Sequence, residues 1–181
     1  MGEPLTYLDH LTDAMTMLSF RHNAIFLGQG VANPGTTMSP SFGGVDPSRL
    51  LEMPVAEDLQ MGMAIGMAIE GLLPICVFPR WNFLLCAANQ LVNHLDRLPL
   101  YSNGGYRPKV IIRTAVPSTK GFHPGPQHDD DFTGAFCQML RTIRVRRLWS
   151  AAHIMPAYKE ALEFDGSTLV VEHTVQYQDE K

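Results

Sequence analysis

Charge is scarce in this chain and nearly balanced. Of 181 residues, 18% are charged, with 14 basic side chains against 18 acidic ones and a formal net charge of −4. Without a basic surplus the chain offers nothing to the phosphates of nucleic acid or to an acidic membrane surface, and both are excluded as general partners. Long apolar runs are missing too. Residues 72–78 form one of the longest, far short of the roughly 20 residues that span a bilayer. No basic stretch followed by an apolar core opens the chain, so no secretory leader is expected. Met1-Gly2-Glu3-Pro4-Leu5-Thr6 matches a myristoylation pattern only loosely. Cysteine is sparse: Cys76, Cys86 and Cys137 are odd in number and sit in apolar surroundings, as expected of reduced, buried thiols in a cytoplasmic protein. Repeats, low-complexity tracts and linkers are absent. What remains is one domain over residues 1–181, 45% hydrophobic, with enough apolar sequence for a three-layer core.

What is present is an alternation of short apolar runs and helical periodicities. Leu8, Leu11, Met15 and Leu18 recur at helical spacing and predict a helix over 5–20. Apolar strands are predicted at 24–28, 51–54, 74–78, 109–113, 143–148 and 168–173, with helices over 57–70, 82–95, 129–140 and 153–163. Continuously apolar strands alternating with helices predict an α/β fold: a three-layer α/β/α sandwich around a mostly parallel sheet of about six strands. Two long loops, 30–47 and 114–127, follow strands and so lie at the carboxyl edge, where such sheets bind ligands.

Pro54-Val55-Ala56-Glu57-Asp58-Leu59-Gln60-Met61-Gly62-Met63-Ala64-Ile65-Gly66-Met67-Ala68 is the most informative segment. Glu57 stands at a helix start, where a carboxylate can cap free amides or serve as a catalytic acid. Gly62 and Gly66 share a helix face, and each costs about 1 kcal/mol there, which points to close approach by another backbone, within the chain or across a subunit interface. Gly28-Gln29-Gly30 follows a strand, but its third glycine is misplaced for a dinucleotide loop. His123, His128 and Asp129 to Asp131 are possible ligand types without any defined metal spacing, so no metal site is expected in this chain.

The Glu57, Gly62, Met63, Gly66, Met67 pattern resembles the signature of the pyrimidine-binding domain of thiamine diphosphate (ThDP) enzymes. Flanking text is similar to 2-oxoacid dehydrogenase β subunits and transketolases: Ile25-Phe26-Leu27-Gly28, Gly71-Leu72-Leu73-Pro74, Asn89-Gln90-Leu91-Val92-Asn93 and Pro108-Lys109-Val110-Ile111-Ile112-Arg113-Thr114. The resemblance gives Glu57 the role of hydrogen-bonding the cofactor's aminopyrimidine, so that its imino tautomer takes the thiazolium proton and leaves a nucleophilic ylide. Gly125-Pro126-Gln127-His128 resembles the Gly-Pro-Thr-His loop of transketolases, which assigns His128, with His123 as a second candidate, to intermediates on the substrate carbonyl. Phe83, in Trp81-Asn82-Phe83, falls where a ring stacks on the pyrimidine, though it also suits a core position. Arg80 and Cys86 stand where transketolases carry rings, and Gln29 stands where dehydrogenase β subunits often have an acid.

A Gly-Asp-Gly, the mark of the diphosphate-binding domain, does not occur in the chain. The resemblance therefore implies a pyrimidine-binding subunit without diphosphate-binding or C-terminal domains. Its active site would be shared with a diphosphate-binding subunit that holds Mg2+, in a heterotetramer acting on a 2-oxo acid or ketose. Dehydrogenase, decarboxylase and transketolase chemistry all stay open. The reading from another class is a non-catalytic interaction protein that keeps the fold.

Overall fold

The computed structural model describes residues 5–117 and 125–177. Helix α1 (Tyr7–Ser19) begins at a capping box: Thr6 Oγ1 accepts from the Asp9 amide (3.1 Å) and the Asp9 carboxylate accepts from the Thr6 amide (2.9 Å). Its buried stripe is Tyr7, Leu11, Ala14, Met15 and Leu18, close to the predicted periodicity, with Tyr7 buried and Leu8 only half-buried.

Strands β1 (Ala24–Gly28), β2 (Leu50–Glu52), β3 (Leu73–Phe78), β4 (Ile111–Val116), β5 (Arg144–Arg147) and β6 (Thr168–His173) form one sheet in the order β2-β1-β3-β4-β6-β5. Every pairing is parallel. Side chains alternate across it, as the pleat requires. Ile75 and Val77 of β3 enter the core under α1 and α6 (Ile154–Glu163), while Cys76 and Phe78 enter the core under α2 (Glu57–Ile69), α3 (Trp81–Cys86) and α5 (Thr133–Met139). This is the expected three-layer α/β/α sandwich with six strands.

Several local expectations are corrected. The segment predicted as one helix over 82–95 is α3 followed by a π-helical stretch, Gln90–Leu95, and a short α4 (Leu98–Tyr101). A buried anchor accompanies that break: the Asp96 carboxylate, just past the π-helical stretch, accepts from the amides of Arg141, Thr142 and Ile143 at 2.8–3.1 Å. β4 starts two residues later than predicted and runs to Val116. Asp129 to Asp131 do not open a helix. α5 begins at Thr133, with the Asp131 carboxylate accepting from the Thr133 amide at 2.9 Å. Of the three cysteines only Cys76 is buried; Cys86 and Cys137 are exposed, because each falls on the outer side of a short helix. Gly62 and Gly66 make no close intrachain packing. A Cβ at Gly62 would meet Gln90 at 3.9 Å, and one at Gly66 would meet nothing within 4 Å. No helix among the described residues is long and apolar enough to cross a membrane.

Candidate active site at the carboxyl edge

The chain leaves β1 for β2 on one side and returns to β3 on the other, so the β1/β3 boundary is a topological switch point that opens a crevice at the carboxyl edge. Backbone packing there is tight. A Cβ on Gly28 would lie 2.4 Å from the Val77 carbonyl oxygen, which only glycine avoids. Gln29 follows directly, Glu57 opens α2 beyond β2, and Phe83 lies in the first turn of α3 beyond β3.

Glu57 is 8% exposed. Its Oε1 accepts from Gln29 Nε2 at 3.1 Å, so its carboxylate is turned toward the residue that follows β1. The Ala56 position ahead of α2 carries no side-chain cap. The Phe83 and His128 rings are tilted against each other with centroids 5.6 Å apart, bringing the α3 residue and the Pro126–His128 turn together. His128 Nδ1 is buried and takes no hydrogen bond among the described residues. His123 lies outside the described residues. A cavity of about 360 Å³ is lined by Gln29, Thr36, Thr37, Pro79, Arg80 and Phe83. Glu57 meets it through Gln29, and His128 through Phe83. Among the described residues no group of three or more His, Cys, Asp and Glu side chains could hold a metal ion.

Sequence reasoning missed what shapes the cavity wall. The Glu52 carboxylate, at the end of β2, accepts from the amides of Gly30 (2.6 Å), Ala32 (2.8 Å) and Asn33 (3.0 Å). Burial pushes the Glu52 carboxyl up, but these amides and that of Val31 outweigh it and hold the group below the usual carboxylate range. Ser39 Oγ donates to the Gly30 carbonyl (2.7 Å) and accepts from the amides of Gly35 (3.2 Å) and Thr36 (3.0 Å). The long loop after β1 is thereby fixed. A lone Glu ending a short strand gives no such signal in sequence, because its partners are backbone amides twenty residues away.

The Glu57-bearing segment marks the class: an α/β protein whose switch-point crevice has an aromatic face, with a largely buried acid behind Gln29 and an imidazole packed behind Phe83. The chain belongs to the family "Transketolase, pyrimidine binding domain", which it matches over residues 3–179. It is 31% identical over 129 residues to a pyruvate dehydrogenase E1 component subunit beta of Gracilaria tenuistipitata var. liui, covering 71% of this chain and 39% of that protein. It is 30% identical over 132 residues to a mitochondrial E1 subunit beta of Chaetomium thermophilum, covering 71% of this chain and 33% of that protein. The chain thus spans well under half the length of these relatives. Among solved structures, a split-gene transketolase described as an inactive beta4 tetramer superposes with a TM-score of 0.71 at 20% identity, over 94% of this chain and 52% of that one. Transketolase from Campylobacter jejuni superposes with a TM-score of 0.75 at 12% identity, over 96% of this chain and 26% of that one.

Proposed function

We propose that this chain is the pyrimidine-binding subunit of a heteromeric ThDP enzyme acting on a 2-oxo acid or ketose, and that a partner subunit supplies the diphosphate site and Mg2+. The observation that carries this reading is Glu57: a largely buried carboxylate at the switch-point edge, oriented by Gln29 and adjoining a crevice with an aromatic face. Residues fit the pyrimidine half of the cofactor. Glu57 would hydrogen-bond the ring, Phe83 would stack on it, and Gln29 holds the carboxylate in position. ThDP, when bound, supplies a carbon nucleophile for cleavage next to a carbonyl.

Glu57 would set the tautomer of the ring by hydrogen-bonding it. His128, packed on Phe83 with a free buried Nδ1, moves a proton to or from the substrate oxygen. α2 presents exposed apolar side chains, Leu59 and Ile69, beside Gly66, and Val55 just ahead of the helix is exposed as well. This exposed apolar face favours a partner seated on it. Heterotetramer formation is the simplest assembly that pairs two such sites.

The test is a pull-down of the tagged chain from its native lysate, with the eluate titrated with ThDP and Mg2+. Co-purification of a subunit with a diphosphate motif, and cofactor binding only by the complex, is expected. Glu57→Gln removes the proton donor at almost constant volume. It should lower turnover by at least about 100-fold, the scale of one acid–base group, with an unchanged circular dichroism spectrum. Full activity in that variant would refute the role of Glu57, and a chain that neither recruits such a subunit nor binds ThDP would point to a non-catalytic protein.

A further inference from the structure

Arg80 is the residue ahead of α3, half-buried at the wall of the active-site cavity. Its carbonyl accepts from the Phe83 and Leu84 amides at 3.2 and 3.3 Å, which fixes its backbone at the mouth of the crevice. Its guanidinium meets no carboxylate, carbonyl or ring among the described residues. Every other arginine that is buried or half-buried among them is matched. Arg113 pairs with Glu172, Arg97 with Asp96, Arg144 and Arg146 with Glu160, and Arg147 with Asp131. Arg49 takes the carbonyls of Arg21, His22 and Ala24.

A partly desolvated guanidinium without a partner is unfavourable unless something binds it. None of the described residues lining the cavity is a carboxylate, while Thr36, Thr37 and Gln29 add neutral hydrogen-bonding groups around it. Phe83 is three residues on, so the cation and the ring border the same space.

We infer that Arg80 binds an anionic group on the substrate, remote from its reacting carbonyl: a distal carboxylate on a 2-oxo acid, or the phosphate of a ketose phosphate. This rests on the ThDP-enzyme reading above. The planar fork of a guanidinium accommodates either anion through two parallel hydrogen bonds. The anion is the one the substrate retains. A cation clamped on a departing carboxylate would stabilise the ground state and oppose cleavage.

The experiment compares two pairs, each with and without the remote anionic group, by calorimetric titration of the full chain, alone and with its co-purified partner: 2-oxoglutarate against 2-oxopentanoate, which lacks the distal carboxylate, and fructose 6-phosphate against fructose. The wild type is expected to bind the member that carries the remote anion at least about tenfold more tightly in one pair, the scale of one charge-assisted contact. The responding pair identifies the anion. Arg80→Met should bring that ratio close to one, and Arg80→Lys should retain part of it, with circular dichroism checking the fold of both. Equal binding by the wild type of the members with and without the remote anion, or a preference that survives Arg80→Met, overturns the assignment. So does a loss of ThDP affinity in Arg80→Met, which would hand the guanidinium to the cofactor's diphosphate. ThDP titrated in the same series separates the two claims: a wild type that binds no ThDP yet shows Arg80-dependent charge preference refutes the cofactor reading alone.

Discussion

Four hydrogen bonds converge on the Glu172 carboxylate. Arg113 donates through Nε (2.7 Å) and Nη2 (3.0 Å), Tyr158 donates to Oε1 at 2.8 Å, and the Tyr177 hydroxyl donates to Oε2. Arg113 and Glu172 are both fully buried. Arg113 also donates to Ser41 Oγ at 3.1 Å and lies 5.2 Å from the centre of the Phe42 ring, so the network holds the base of the loop whose other end lines the cavity. A buried pair of this kind contributes little net stability, yet losing one charge strands the other. Glu172→Gln should therefore cost about 3–5 kcal/mol, read as a lower urea midpoint at constant slope. The double variant Glu172→Gln/Arg113→Met should recover part of that loss. A single variant as stable as the wild type would show that Arg113 finds another partner.

Elements whose signal is local were legible in the sequence. β1 and β6 are found at their predicted limits, because the short apolar runs Ala24 to Leu27 and Leu169 to Val171 mark their centres. α2 also follows its text, from Glu57 to the glycine stop at Gly71. Elements shaped by distant partners were not legible. Nothing in 82–95 announces the π-helical stretch next to Asp96, and nothing in Asp129-Asp130-Asp131 tells that Asp131 binds Arg147 and leaves α5 to start later. The site divides in the same way. Glu57, Phe83 and His128 were singled out from motif text, whereas Glu52 and Ser39 act through backbone amides and leave no motif. On α2 the two glycines can now be separated. An alanine at Gly66 meets nothing within 4 Å among the described residues and gains helix propensity, so Gly66→Ala should stabilise the isolated chain by about 0.5–1 kcal/mol. Its methyl group would project from the face left open to a partner, and sedimentation should show weaker association with the diphosphate-binding subunit. Unchanged association would move the interface off that face of α2.

Across the whole molecule, buried titratable groups set a window of stability in pH. His173 ends β6, stacked on Trp149 with ring centroids 4.6 Å apart, and its Nε2 is buried without a hydrogen-bond partner among the described residues. Burial, reinforced by the charge of Arg147 and opposed by that of Asp131, lowers its pKa. The folded chain therefore binds this proton less readily than the unfolded chain, and stability falls as pH drops below about 6.5, the ordinary histidine value. A second acid limb follows below about 4.5. There Glu52, tied to the amides of the 30–33 segment, and Asp131, tied to Thr133 and Arg147, lose the contacts that hold their carboxyls below the usual range. On the alkaline side Tyr7, Tyr158 and Tyr177 cluster around Glu172, and burial pushes all three phenols up. Their unfolded counterparts ionise near pH 10, so stability declines as pH rises through that value. The melting temperature measured from pH 3 to 11 should then form a plateau between about pH 7 and 9 with three separate shoulders. His173→Phe should remove only the shoulder near 6.5, because a phenyl ring keeps the stack on Trp149 and takes no proton. Tyr177→Phe should weaken only the alkaline one. If the His173→Phe curve still fell between pH 7 and 5, the near-neutral limb would belong to another histidine, and the buried Nε2 of His173 would have no part in it.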